Sequence, residues 1–346
     1  MGVGIPEGQR RLIEKVIDQG ICVRCGACVG LCPYFQFFDG KVVVMDQCRS
    51  DTSRCLQVCP KADYEATSLY SEGPDTGENE GIGPFKKILI ARASNKEIRN
   101  PAQYGGVVSA LVIYSLEHGY IDAAVLTDTG NRFSPAGKIV RTRAEVLACA
   151  GSRYTASGSL SALNTAIEAD MAGLGVVGLP CQMEAMERLK LMKPDGQDRH
   201  RRIRLKIGLF CTWAIDYRRL EAFLIQEGIN ETPKKYDIPP PPSEKFQVMT
   251  EDGWRDFPLS DIRPLVQKGC ELCQDMTAEW ADISIGTVEG REGWSTLVIR
   301  TDMGSELINA AIRDGWLEAG VLPDESLEHL KQAASNKRER GRKAAK

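Results

Sequence analysis

Seven of the chain's twelve cysteines lie between Cys22 and Cys59, a window of 38 residues in a chain of 346. The run Cys22-x2-Cys25-x2-Cys28-x3-Cys32-Pro33 has the bacterial ferredoxin spacing, in which three close thiolates reach three irons of one cubane and the fourth ligates a second cluster. Zinc knuckles instead set two cysteines against a second pair farther along, so three at this spacing before Cys-Pro point to iron and sulfur. Cys48, Cys55 and Cys59-Pro60 supply the second half. In the crossed pattern one cluster takes Cys22, Cys25, Cys28 and Cys59, and the other takes Cys32, Cys48, Cys55 and something else. Seven cysteines cannot fill eight places. Asp51 stands three residues after Cys48, where the missing thiolate would be, so the second cluster is expected to carry a carboxylate or water ligand or to be a three-iron form.

Four of the remaining cysteines form another constellation: Cys181 in GLPCQ, Cys211 in GLFC, and Cys270-x2-Cys273. Cys181 ends an expected strand and opens a helix, and Cys211 ends the next strand. Neighbouring strand tips would bring both toward a Cys270/Cys273 loop, where four thiolates can hold one cubane. Spacing alone leaves ligation and plain burial equally open, because lone cysteines are among the most buried residues. Cys149, between Ala148 and Ala150, reads as core filler. Gly173-x-Gly175-x-x-Gly178 has the letters of a dinucleotide fingerprint, but it contains a strand instead of following one, and is rejected. Gly105 and Gly106 run straight into the apolar helix that carries Ser109, where free backbone N–H groups suit a phosphate. Gly151-Ser152-Arg153-Tyr154 is a second small turn with a cation and hydroxyls. Alone, each of these two turns is equally an ordinary loop.

The elements that must position these residues alternate. Lys87 to Ala91 reads as strand, Val107 to His118 as helix, Ala123 to Thr127 as strand, Ser159 to Met171 as helix and Leu174 to Leu179 as strand. Gln182 to Met192 then reads as helix, Arg204 to Phe210 as strand and Tyr217 to Glu227 as helix. A hairpin is expected from Lys245 to Pro258, preceded by an extended proline run, Pro239 to Pro242. Strands follow over Asp282 to Val288 and Thr296 to Arg300, with helices over Ser305 to Ile312 and from about Asp324. This order is that of an α/β layered domain. The expected architecture is α/β (α+β overall): a two-cluster ferredoxin-like domain over 1–70, a Gly- and Pro-rich linker over 71–85, a larger flavin-binding α/β domain over 86–330, and a basic, solvated C-terminal tail over 331–346. With 44 Lys plus Arg against 47 Asp plus Glu, the net charge is −3, which provides no field for nucleic acid. No apolar run approaches the ~20 residues of a membrane span, and the first residues, MGVGIPEGQRR, contain no apolar signal core, so a cytoplasmic protein is expected, at most peripheral to a membrane complex. Three histidines supply catalytic zinc or copper poorly.

Seven stretches taken in order are GGVVSAL, AGSRYTAS, GLPCQ, GLFC, Cys270-x2-Cys273-x-Asp275, Ala281-Asp282-Ile283-Ser284-x-Gly286 and Gly293-Trp294-Ser295-Thr296. With the Val298-Ile299-Arg300-Thr301-Asp302 stretch that follows, they resemble the beta subunit of coenzyme F420 hydrogenase and dehydrogenase across about residues 85 to 340. The N-terminal module is similar to that of F420H2-oxidising input subunits and of F420-dependent sulfite reductase. The resemblance implies FAD, a [4Fe-4S] cluster on Cys181, Cys211, Cys270 and Cys273, and two to three clusters in the whole chain. It implies FAD or phosphate contacts at Gly105, Gly106, Ser109, Ser152, Arg153 and Tyr154, and coenzyme F420 as substrate on the flavin face. The activity it implies is hydride transfer between F420 and FAD, with single electrons leaving through the clusters to an iron–sulfur partner subunit. Such partners are a hydrogenase, a formate dehydrogenase, a heterodisulfide reductase or a quinone/phenazine oxidoreductase. Arg153, Arg263, Lys268 and Arg300 are candidates to balance cluster, flavin or coenzyme charge. Two competing readings keep the residues and change the role: the same scaffold relaying electrons between ferredoxin-like partners and another acceptor without F420, and a non-enzymatic relay without flavin.

Overall fold

The computed structural model describes residues 7–48, 50, 52–62, 81–131, 134–239 and 243–345. Asp51, residues 71–80 of the expected linker and Pro240 to Pro242 lie outside them. Among the described residues thirteen strands form three sheets. β1 (Phe35–Phe38) and β2 (Lys41–Val44) make an antiparallel hairpin in the cysteine-rich module. β3 (Lys87–Ala93), β4 (Ala123–Asn131), β5 (Ser134–Val140), β6 (Leu174–Gly178) and β7 (Ile203–Leu209) enter the main sheet. β8 (Lys235–Asp237), β9 (Lys245–Thr250) and β10 (Gly253–Pro258) form a separate antiparallel sheet. β11 (Ile283–Thr287), β12 (Ser295–Ile299) and β13 (Leu317–Gly320) complete the main one.

The eight-stranded main sheet runs β13-β3-β12-β11-β7-β6-β4-β5. Its centre, β11-β7-β6-β4, is parallel, and the flanking pairs are antiparallel. Parallel strands are covered on both faces and read as continuous apolar runs, and β6 is buried at all five positions. Alternate residues of β4 serve opposite cores. Ala124 packs with helix Val107–Glu117 and helix Asp302–Arg313, whereas Ala123 and Val125 pack with Leu160 and Leu163 of helix Leu160–Glu168 and with Met183 of helix Pro180–Leu191. The result is a three-layer α/β body, as the alternation predicts.

The cysteine-rich module has its own small core of Leu12, Val16, Phe35 and Val42, yet it is built into the second face of the sheet. Val23, Cys25, Ala27 and Leu31 join the core of Leu160, Leu163 and Met183. The buried Asn164 amide donates to the carbonyls of Ala27 (2.9 Å) and Val29 (2.8 Å), and Arg24 pairs with Asp216 at 2.5 Å. Gly26, at φ +87°, has no room for a β-carbon, which would sit 2.8 Å from the Gly158 carbonyl carbon and 2.9 Å from the Ser161 nitrogen.

The C-terminal helix, Asp324–Ala344, departs from the solvated tail expected over 331–346. Ala334, Lys337 and Gly341, spaced three and four apart, form a buried stripe. Ile82, within the stretch read as linker, is fully buried with Val298 and Ala334. Among the described residues no helix is long and apolar enough to cross a membrane.

Candidate cysteine-lined redox site

β6 and β7 are parallel neighbours, so their C-terminal ends open at the same edge. The chain leaves β6 through Leu179 into helix Pro180–Leu191, with Pro180 at the first turn and Cys181 directly after it. Gln182 locks this turn: its Oε1 accepts from the Leu179 N–H (2.7 Å), and its Nε2 donates to Ser157 O (2.9 Å) and Ser159 Oγ (2.7 Å). Cys211 follows β7 two residues on, its N–H donating to Met276 O at 2.9 Å. Cys270 ends the short helix Lys268–Cys270, and its sulfur accepts from the Ala214 N–H at 3.4 Å. Gly269 carries this loop against the Ile21 carbonyl of the N-terminal module, where no β-carbon fits.

Cys181, Cys211, Cys270 and Cys273 thereby line one pocket, with Val23, Lys61, Ala156, Ser157, Trp213 and Lys337. Burial pushes the Cys181 thiol well up, and Cys25, Cys211, Cys273 and Cys270 add to it; burial likewise takes Cys211 to about 12. Buried thiols in this state are poor nucleophiles. A bound cation reverses the balance, since a coordinated thiol is deprotonated outright. Four cysteine sulfurs are the donor type that a cubane takes. Among the described residues no group of three or more His, Cys, Asp or Glu side chains is placed to hold a single metal ion.

A second pocket is lined by Cys22, Cys25, Cys28 and Cys59, the four that the crossed pattern groups. Burial raises Cys25 to about 12, and Cys22 follows among its neighbours. Cys32, Cys48 and Cys55 also come together: burial takes Cys55 to about 12, with Cys32 and Cys48 adding to the rise.

The two small turns meet as well. Gly106 stands at φ +71° as the cap of helix Val107–Glu117, with Ser109 buried in its first turn. Gly105 is packed so tightly against the sheet that a β-carbon would lie 3.0 Å from both the Ala91 carbonyl oxygen and Ser295 Oγ. The Ser152 N–H donates to Gln103 Oε1 at 3.4 Å, joining the turns. Arg153 is half-buried, and its Nε is sealed from solvent without a hydrogen-bond partner among the described residues. Burial holds its guanidinium below the usual range. Tyr104 (2.9 Å), Gln103 (2.9 Å) and Tyr154 (3.3 Å) all donate to Asp237 Oδ1 on β8. From Arg153 to Ala156, which lines the cysteine pocket, is three residues, at most about 11 Å of backbone.

Of the expected charge-balancing cations, Arg263 and Lys268 are exposed and Lys268 donates to Gln19 O. Arg300 is spent on structure, donating to Ser284 Oγ and to the carbonyls of Ile82, Pro84 and Thr277. Arg24 lines the second pocket, and the cations lining the main-domain pocket are two lysines that spacing does not reveal. Lys337, 3% exposed, donates to Cys211 O at 2.5 Å, and Lys61 lines both cysteine pockets. Its position next to Cys59-Pro60 was the only trace of Lys61 in the sequence, and Lys337 was hidden in a run of basic residues.

The family described as "Coenzyme F420 hydrogenase/dehydrogenase, beta subunit" matches the chain in two parts, its N-terminal part over residues 88–164 and its C-terminal part over residues 171–325. The coenzyme F420 hydrogenase subunit beta of Methanothermobacter thermautotrophicus is 33% identical over 72% of this chain and 88% of its own. The chain belongs to the coenzyme F420 hydrogenase/dehydrogenase beta-subunit family. As a family member it is an F420-dependent oxidoreductase subunit. The coenzyme F420-dependent sulfite reductase of Methanocaldococcus jannaschii is 31% identical over 92% of this chain and 50% of its own. Among solved structures, a chain of the F420-reducing [NiFe] hydrogenase complex of Methanosarcina barkeri superposes with a TM-score of 0.71 at 32% identity, covering 76% of this chain and 92% of that one. The family match leaves the cysteine-rich N-terminal module outside its bounds.

Proposed function

We propose that this beta-subunit relative carries a hydride between coenzyme F420 and a bound FAD, and passes single electrons through iron–sulfur clusters to a partner subunit of a larger redox complex. The observation that carries the proposal is the convergence of Cys181, Cys211, Cys270 and Cys273 on one pocket at the C-terminal ends of β6 and β7. These four would hold the main-domain cluster. Cys22, Cys25, Cys28 and Cys59 would hold the first ferredoxin-type cluster, and Cys32, Cys48 and Cys55 the second, completed by a carboxylate or water ligand or present as a three-iron form. Gly105, Gly106, Ser109, Ser152, Arg153 and Tyr154 would hold the flavin: the helix N-terminus and the unpartnered Arg153 Nε suit its phosphates. When bound, FAD exchanges hydride with F420 and single electrons with clusters, which joins a two-electron coenzyme to one-electron carriers.

The chain's own residues do the rest. The helix N-terminus at Cys181 and the Lys337 ammonium offset negative charge on the sulfurs. Leu179, Trp213 and Val23 exclude water from the pocket. The three residues from Arg153 to Ala156 limit how far the flavin site stands from the cluster site. The test is anaerobic isolation with flavin, iron and sulfide counted per chain, followed by F420H2 oxidation with an artificial one-electron acceptor. Flavin, iron and F420H2 oxidation together support the proposal; iron and sulfide without flavin would make the chain a relay instead.

A further inference from the structure

The two cysteine pockets share two lining residues, Val23 and Lys61. Val23 is apolar, so Lys61 is the one charged group common to both. It is 5% exposed, and no carboxylate pairs with it among the described residues. A buried ammonium without an anion is costly enough that proteins normally pair or neutralise it. Lys61 shares each pocket with cysteine sulfurs. Its backbone N–H donates to Cys59 Sγ at 3.4 Å, and its charge is felt at Cys270 across the other pocket. The two sets also share one core, which holds Cys25 and against which Cys181 packs.

We infer that the Lys61 ammonium is the shared counter-charge of the two cluster sites, holding the reduction potentials of both up together. The inference rests on the cluster assignment made above. Thiolate-bound clusters gain a negative charge when reduced, and a nearby fixed cation stabilises that reduced state. A cation placed between two such sites favours reduction at each. An electron leaving one and arriving at the other therefore stays within the same favourable field. One site is oxidised by one electron and the other reduced by one, and the total charge of the pair is unchanged. Lys337 differs in kind, since it lines only the main-domain pocket and donates to Cys211 O.

The experiment uses the full chain, isolated anaerobically, with iron and sulfide counted and each cluster titrated by EPR against potential. Lys61→Met should lower the reduction equilibrium of both clusters about tenfold or more, which is 59 mV for a one-electron couple. Lys61→Arg should leave both near the wild type, and Lys337→Met should move the main-domain cluster alone. If Lys61→Met fails to load iron, Lys61→Gln carries the same expectation. A loaded neutral variant with both potentials unmoved, or with only one moved, overturns the inference, as does an arginine variant that behaves like the methionine one. A wild-type protein without iron fails the cluster assignment itself, whereas a loaded wild type with unresponsive potentials fails only the role of Lys61.

Discussion

Gly26 tests whether the cysteine-rich N-terminal module is fused into the main domain or merely tethered to it. Gly26→Ala places a methyl group at φ +87° against the Gly158 backbone, 2.8 Å from its carbonyl carbon and 2.9 Å from the Ser161 nitrogen. The left-handed backbone costs an L-residue about 1–2 kcal/mol. Forcing a methyl into rigid backbone adds about 1–3 kcal/mol, for a total of about 2–5 kcal/mol. Gly20→Ala is the matched control, because Gly20 also has a positive φ, +70°, but nothing lies within 4 Å of its β-carbon. The difference between the two variants isolates the interface contact at about 1–3 kcal/mol. Amide hydrogen exchange over residues 21–31 of the anaerobically isolated protein reads it, since local opening free energies appear there directly. Exchange in Gly26→Ala should be roughly 5- to 150-fold faster than in Gly20→Ala. Equal exchange in the two would refute the docking of the module on Gly158.

Other substitutions probe neighbouring contacts. Asn164→Ala leaves the Ala27 and Val29 carbonyls unpaired beneath the module and should lower stability by about 1–3 kcal/mol in denaturant titration. Gly341→Ala gains about 1 kcal/mol of helix propensity, but its β-carbon would lie 2.6 Å from the Cys273 carbonyl oxygen. The net expectation is loss of the C-terminal helix's protection in hydrogen exchange. Although burial works against it, the Arg24 pair and the Arg218 and Arg219 N–H groups hold the Asp216 carboxyl below its usual range. A depressed carboxylate stabilises the fold above its unfolded value near 4 and loses that contribution as pH falls through the folded one. The stability advantage of wild type over Asp216→Asn should therefore be full at pH 6 and shrink below about pH 4. Cys181→Ala should remove about four irons per chain, one cubane, while leaving the Cys22, Cys25, Cys28 and Cys59 set loaded.

The strongly patterned parts of the fold were legible in the sequence. The buried runs of β6 and β12, the strand β7, and the helices at Val107, Leu160, Pro180, Tyr217 and Asp302 lie within a few residues of expectation, because apolar residues recur along each. β5 escaped, since Ser134-Pro135-Ala136-Gly137 reads as loop and pairs only because β4 offers an edge. β13 escaped because four residues are too few to show a period. The hairpin β1–β2 lay within the cysteine run, where ligand spacing masks strand alternation. The grouping of the cysteines was readable from spacing near the N-terminus, and from strand ends for Cys181 and Cys211. The charges around them were not. Lys61 and Lys337 matter through burial, which one lysine among many does not announce, whereas the more conspicuous Arg300 is consumed by backbone carbonyls. Residues 331–346 looked solvated because seven of them are basic, and the stripe of Ala334, Lys337 and Gly341 packs through its small residues and one buried ammonium stem.

The most direct measurement mixes the anaerobic, cofactor-loaded protein with F420H2 and follows cluster reduction by rapid-freeze EPR. The account predicts a reduced cluster signal that grows as F420 absorbance appears in the wild type, and in Cys181→Ala F420 formation that stops at the flavin with the N-terminal clusters still oxidised. Cluster reduction undiminished in Cys181→Ala, or F420H2 left unoxidised by a fully loaded wild type, would contradict it.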